Sequence, residues 1–369
     1  MKNSFGTSVI ITLFGESHGP AVGAVLDGMA PGIPVDEGYI AERLRLRRPC
    51  GSISTARIEK DDFSILSGVF NGRTSGTPIC IVIPNEDARS GDYERDRALA
   101  RPGHADHTAF EKYHGFEDHR GGGHFSGRVT AALAAAGAIA LGALRERGIR
   151  VGTHIARCGG VDDRPFSDLN ADIAALEQMS FAALDPEAGE RMRRAISDAA
   201  EDGDSVGGIL ETAVTGLPAG VGEPWFDTLE GLLAHMLFSV PGIKGVQFGG
   251  GFDLADARGS EYNDELFSDG GTVRTRTNNS GGVNGGISNG MPVMFRCAVK
   301  PTPSIFKTQA TVDLFKGENA LLALKGRHDP AIIHRVRAVV DSAAALALCD
   351  ALALRYGTDW LGGVGCAAH

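Results

Sequence analysis

The chain has 369 residues, 43% hydrophobic, 22% charged and 7% aromatic, which supplies a large core and excludes intrinsic disorder. Thirty-six basic against 46 acidic residues give a formal charge of −10, which disfavours a protein built to grip a nucleic-acid backbone but allows a local basic pocket. No apolar run of about 18 residues and no secretory leader pattern are present, and the six cysteines (Cys50, Cys80, Cys158, Cys297, Cys349, Cys366) are dispersed without a CxxC pair. The expectation is a cytosolic protein with reduced thiols, no membrane segment, no disulfide framework and no zinc knuckle.

In chain order, Val9 to Phe14 and Ala21 to Leu26 read as strands around the polar loop GESHGP. Asp36 starts a helix with Ile40 and Leu44 on one face, ending at Arg45, Arg47, Arg48 and Pro49. Phe63 to Val69 and Pro78 to Ile83 form a hairpin across NGRTSG, after which Asn85 to Arg128 is a polar stretch too long for an ordinary connection. Val129 to Arg147 is a small-residue helix able to approach other backbones closely, and GGGHFSGR sits at its positive end. One or two peripheral helices follow within Phe166 to Ala200, with Asp185-Pro186 as cap and first turn. Ile209 to Thr215 is a strand, Trp225 to Phe238 a helix and Val246 to Phe248 a strand. Asp253 to Asn289 is a second polar stretch, Val293 to Val299 a strand, and Pro330 to Tyr356 a closing helix capped by Asp329. AVLDGMAPGIPVDE echoes AVTGLPAGVGEP, each preceding a helix, which suggests two related halves within one α+β domain spanning residues 1–369.

The 51 glycines gather in short polar segments, pointing to a site built from loops near 85–128 and 253–290. His18 stands between glycines in Gly15-Glu16-Ser17-His18-Gly19, where the bland alternative is an ordinary loop histidine. His104, Asp106 and His107 in RPGHADH read either as a solvated loop or as a fragment of a metal site, although no second ligand cluster completes one, so no metal is assigned. Arg120 and Arg128 bracket GGGHFSG immediately before a helix, a pattern that supplies backbone amides, a helix dipole and guanidinium groups to an anion, or else makes a packing turn. It is neither a Rossmann fingerprint nor a P-loop. Asp329-Pro330 alone needs no more than helix capping.

Taken together and in order, GESHGPAVGAVLDG, RPGHADH, RGGGHFSGR, GGVNGGISNG, KPTPS and GRHDP resemble the chorismate synthase family over nearly the whole chain. That resemblance implies a β-α-β sandwich, a homotetramer, and a reduced-FMN-dependent lyase that eliminates phosphate from 5-enolpyruvylshikimate 3-phosphate in a 1,4-anti sense. It implies that His18 protonates the leaving phosphate, that His104 acts near flavin N1, and that Asp329 is the base working through flavin N5. Cofactor contacts carry over to Ser126, Gly285, Lys300, Pro301, Thr302, Pro303, Ser304 and Arg327. Arg47, with Arg48 beside it, falls on the basic segment assigned to substrate or nicotinamide (NADP), and Arg128 joins the substrate side. The family's RGGGRSSAR loop is RGGGHFSGR here, so His124 and Phe125 replace an arginine and a serine near the flavin; HADY becomes HADH, and a second arginine after RRP is missing. The expected partners are a small phosphorylated substrate and a separate source of reduced flavin, such as a flavin reductase. A metal-dependent phosphohydrolase and an RNA-binding module are the competing classes, the latter opposed by the acidic total.

Overall fold

In β3 (Ala21–Asp27) the alternate residues Val22, Ala24 and Leu26 are fully buried, and Ile79, Ile81 and Ile83 are almost fully buried in its neighbour Ile79–Pro84. This period of two is the signature of a sheet with one face on a core. The computed structural model describes residues 2–49, 51–54, 60–86, 97–324 and 328–362. The first sheet comprises β1 (Ser4–Phe5), β2 (Ile10–Gly15), β3, β4 (Ser64–Ser67) and β7 (Ile79–Pro84), in the order β1-β2-β3-β7-β4 and antiparallel throughout. Between β4 and β7 lies a small hairpin, β5 (Val69–Phe70) and β6 (Arg73–Thr74). The expected β4–β7 pairing is therefore present, with an extra turn of ribbon inside it.

The second sheet contains β8 (Arg150–Cys158), β9 (Val161–Asp162), β10 (Gly208–Thr215), β11 (Ile243–Phe248) and β16 (Val293–Val299), ordered β11-β16-β10-β8-β9. Between the sheets lies a helical layer made of α1 (Glu37–Arg47), α3 (Thr130–Glu146), α6 (Leu229–Phe238) and α8 (Ile333–Tyr356). Helix α3 touches β3 and β7 of the first sheet, whereas α8 touches β8 and β10 of the second and α6 touches β11. The expected α+β sandwich is what the chain forms. In each sheet a strand, β3 or β10, leads through a Gly/Pro turn to a helix, α1 or α6, that packs on α8.

Small residues let the central helices meet closely. A Cβ on Gly137 of α3 would lie 2.2 Å from the Ser342 Cβ of α8, so only glycine fits there. The segment Gly127–Glu146 is long and apolar enough to cross a membrane by composition, yet 89% of its most apolar 18-residue window is buried inside the protein. At the other end of α8, the buried Asp350 carboxylate accepts from the amides of Thr7, Ser8 and Val9, at 2.7 Å from Ser8, and so anchors the entry to β2.

Outside the sandwich, α4 (Leu169–Gln178) and α5 (Pro186–Glu201) flank β8 and β9, and the Asp185 cap with Pro186 in the first turn is present as expected. Helix α2 (Asp106–Tyr113) lies within the first polar stretch. The second polar stretch folds as α7 (Gly259–Tyr262) and the hairpins β12 (Leu266–Asp269) with β13 (Thr272–Thr275) and β14 (Val283–Asn284) with β15 (Ile287–Ser288). A further hairpin, β17 (Gln309–Asp313) with β18 (Glu318–Leu322), precedes α8, and α9 (Asp359–Gly362) follows it.

The cap assigned to Asp329 is a correction. Helix α8 starts at Ile333 with Ile332 in the cap position and no side chain capping it. Asp329 instead pairs with Arg335 Nη1 at 2.5 Å, so its carboxylate is committed to a side chain rather than to orphan amides. The helix expected at Trp225 begins as a short 3-10 turn, Trp225–Asp227, and its α-helical part is capped by Thr228 Oγ1 accepting from Gly231 N.

Candidate active site

Three glycines decide the geometry of the site. Gly121, Gly122 and Gly123 all have positive φ, at 59°, 89° and 51°, a run that side-chain-bearing residues rarely adopt. A Cβ on Gly121 would fall 2.1 Å from His18 Cε1, and one on Gly122 would fall 3.2 Å from His104 Cε1. The loop thus lies flat against both imidazoles. Gly123 closes it by accepting from the Ser17 amide at 3.1 Å.

His18 is buried and held from behind. Ser17 Oγ donates to the Arg120 carbonyl at 3.2 Å and lies 3.0 Å from His18 Nδ1. With its only proton committed to the carbonyl, the hydroxyl accepts from His18, which places a proton on Nδ1. His104 is oriented differently. Its Nδ1–H donates to Asp106 Oδ1 at 2.6 Å, and Arg101 grips the same carboxylate through its backbone amide, Nε and Nη2 at 2.9, 2.8 and 2.7 Å. Burial would raise the Asp106 pKa, but the hydrogen bonds from Arg101 and His104 outweigh it and hold the carboxyl well below the usual range. His124 Nδ1 donates to the Gly15 carbonyl at 2.8 Å, tying the Gly-rich loop to the end of β2.

These side chains open on one cavity of about 1180 Å³. Its wall carries His18 from the β2–β3 loop, His104, His124, Phe125, Ser126 and Arg128 from the first polar stretch, Arg47 from α1, Lys300 to Ser304 after β16, and Asp329 before α8. Lys300 Nζ donates to the Gly103 carbonyl, and a Cβ on Gly103 would touch Pro303 Cβ at 3.3 Å, so the KPTPS and RPGH segments share a boundary. Burial, with help from Lys244, lowers the Lys300 pKa. Ser126 Oγ accepts from Arg128 N at 3.3 Å and caps the short turn that leads into α3, which puts the positive end of the helix at the cavity as expected.

Two sequence-based assignments fall elsewhere. Arg48 does not line this cavity; it reaches Asp61 Oδ2 with Nε at 3.3 Å from behind and lines a separate space of about 150 Å³. Gly285 sits in the β14–β15 turn at φ 61°, away from the wall, and no residue from the whole second polar stretch lines the cavity among the described residues. Arg327 lies outside the described residues.

Other contributors have no obvious sequence signal. The turn between α6 and β11, Ser239 to Gly242, forms part of the wall, as does Arg335. Asp61, buried at φ 52°, accepts from Arg128 Nη1 and lies 3.7 Å from Arg47 Nη2, so one carboxylate gathers the arginines of this side. Among the described residues no group of three or more His, Cys, Asp or Glu side chains could hold a metal ion.

Two oriented imidazoles, His18 buried and His104 partly exposed, beside gathered arginines and a glycine cradle at a helix start define an enzyme that handles a small anionic substrate. Residues 9–353 match the family model described as chorismate synthase. The chain is 46% identical over 355 residues to a chorismate synthase of Aeropyrum pernix, across 96% of this chain and 93% of that one. It is also 46% identical over 349 residues to one of Methanosarcina mazei, across 94% and 95% of the two chains. A crystal structure of chorismate synthase matches the fold with a TM-score of 0.76 at 29% identity, covering 96% of this chain and 94% of that one. The chain belongs to the chorismate synthase family, carbon–oxygen lyases of aromatic amino-acid biosynthesis that act on a phosphate ester.

Proposed function

We propose that the protein converts 5-enolpyruvylshikimate 3-phosphate to chorismate and phosphate by 1,4-anti elimination, with reduced FMN bound in the 1180 Å³ cavity. The observation that carries this reading is the convergence of His18, His104, Arg47 and Arg128 on one cavity, with both histidines against consecutive glycines. The volume exceeds the roughly 300–1,000 Å³ of an ordinary small-molecule site, which suits a flavin and a sugar-phosphate-sized substrate together.

The residues present fit a flavin. Thr302 Oγ1 and His119 Nε2 are buried polar atoms on the wall with no hydrogen-bond partner among the described residues, the state expected where a ligand completes the bonding. His124, Phe125, Ser126 and Lys300 to Ser304 would hold the cofactor, with Arg327 added from the sequence match. When bound, reduced FMN lends electron density transiently and recovers it, since the overall reaction has no net redox change.

The chain's own groups do the rest. Arg47 and Arg128 neutralise the growing charge on the departing phosphate, and His18, acting as the imidazolium with Nδ1–H held by Ser17, delivers its Nε2 proton to it. Asp106 fixes the His104 ring so that Nε2 is turned from the carboxylate and serves the flavin side. Asp329, paired with Arg335, acts as the base for the proton lost from substrate C6. The protein works as a cytoplasmic homotetramer supplied with reduced flavin from outside. Trp225, Phe226 and Phe252, each more than four-fifths exposed, provide apolar surface that assembly would cover.

An anaerobic assay with chemically reduced FMN tests the reading. Equimolar chorismate and phosphate are expected with reduced FMN, and none with oxidised FMN; equal turnover without flavin would overturn it.

A further inference from the structure

Among the described residues, Asp61 is the carboxylate set among the arginines of the phosphate side. Its side chain is fully buried, and three guanidiniums reach it: Arg128 through Nη1, Arg48 through Nε at 3.3 Å and Arg47 through Nη2 at 3.7 Å. Arg128 is further fixed by Asn85 Oδ1 at 2.8 Å and the Pro84 carbonyl at 3.0 Å, so its plane has a defined orientation. Asp61 itself holds a backbone φ of 52°, a conformation that Asp and Asn tolerate better than other side-chain-bearing residues. Elsewhere on the wall, Arg101 pairs with Asp106 and Arg335 with Asp329. At Asp61 a single carboxylate meets three guanidiniums.

We infer that Asp61 is a positioning residue with a second effect: its negative charge competes with phosphate for Arg47 and Arg128, weakening the pocket's hold on the departing anion while keeping those guanidiniums in place. A site made only of arginines would bind the phosphate product tightly and release it slowly; an internal counter-charge moderates both. Burial would raise the Asp61 pKa, yet Arg47 and Arg128 outweigh it and the net shift is downward, so the counter-charge is present throughout the neutral range. The inference rests on the proposed reading that phosphate sits on the arginine side of the cavity.

Calorimetric titration of the full-length protein with inorganic phosphate, without flavin or substrate, separates the two. Asp61→Asn removes the negative charge and keeps the shape and the backbone preference, so phosphate should bind about threefold tighter or more and with a steeper dependence on salt. Arg48→Gln removes a positive charge from behind the wall, where it touches no cavity ligand, so phosphate should bind weaker by a similar factor. Loss of a merely structural support would weaken binding in both variants, whereas a counter-charge moves them in opposite directions. Unchanged or weaker binding in a folded Asp61→Asn overturns the inference. If that variant does not fold, unchanged binding in Arg48→Gln overturns it alone. Absence of phosphate binding by the wild-type protein would instead remove the placement of phosphate beneath it.

Discussion

His18 and His104 come from loops 86 positions apart in the chain, yet they rest on adjacent residues, Gly121 and Gly122, of a single left-handed run. A methyl group on Gly121 would overlap both Cε1 and Nδ1 of His18, at 2.1 and 2.3 Å, and the φ of 59° adds backbone strain. Gly121→Ala should therefore displace His18 and cut turnover by about 10²-fold or more, close to the loss in His18→Ala. Steady-state kinetics of the two variants and their double mutant test this. If the double mutant loses as much as both single losses multiplied, the two residues do not act through one another.

The Asp106–His104 bond at 2.6 Å fixes which imidazole nitrogen carries the proton. Asp106→Asn can donate to Nδ1 and so favours the other tautomer, while Arg101 loses its carboxylate. Turnover should fall at least about tenfold with little change in substrate KM. A rise in KM at constant kcat would mean that Asp106 serves binding only.

On the second sheet His154 bridges Asp163 at 2.8 Å and Glu211 at 3.1 Å, and Glu211 also holds Arg296 at 2.7 Å. Burial would lower the His154 pKa, but hydrogen bonds to the two carboxylates outweigh it and the net shift is upward. A raised histidine pKa stabilises the fold fully below the unfolded value of about 6.5, and that contribution disappears as pH rises through the folded value. Asp163 and Glu211 are shifted downward, so their share is lost only under acid conditions. His154→Gln should therefore cost about 3 kcal/mol near pH 6 and less near pH 9, as measured by denaturant titration at both pH values. A larger cost at high pH would contradict the imidazolium assignment.

Much of this fold is legible in the chain. Short apolar runs mark β3 and β7, Asp36 marks the start of α1 by accepting from Tyr39 N, and the alanine run marks α3. Strand β8 escaped because RVGTHIARC interleaves buried Thr153 and His154 with its apolar positions, so the pattern does not alternate by polarity even though the residues alternate between faces. The histidines and the Gly-rich loop were visible because glycine and histidine are conspicuous in short polar segments. Asp61 was not, since an acidic residue in EKDD looks solvated until three arginines from distant elements are brought to it. Asp329-Pro330 has the sequence of a helix start, but the helix begins three residues later and the carboxylate turns to Arg335. In Gly285 the left-handed conformation serves a hairpin turn, a purpose that sequence alone does not separate from ligand contact.

That change at Asp329 alters what its substitutions should do. With no cap to lose, Asp329→Ala should not show the roughly 1 kcal/mol penalty of a lost N-cap, while Asp329→Asn should lower turnover by about 10²–10⁴ if the carboxylate is the base. Thermal melting and turnover of both variants decide the matter. An active Asp329→Asn would remove the carboxylate from the reaction and leave it a structural partner of Arg335.

The most direct test of the site as a phosphate-eliminating centre is single-turnover phosphate release under anaerobic conditions, with reduced FMN and substrate mixed against wild-type and His18→Ala protein. Wild type should release one phosphate per active site, and His18→Ala should release the same amount about 10²–10⁴ times more slowly. Release at the wild-type rate by a folded His18→Ala protein would contradict the assignment of the buried imidazole on Gly121 as the proton donor.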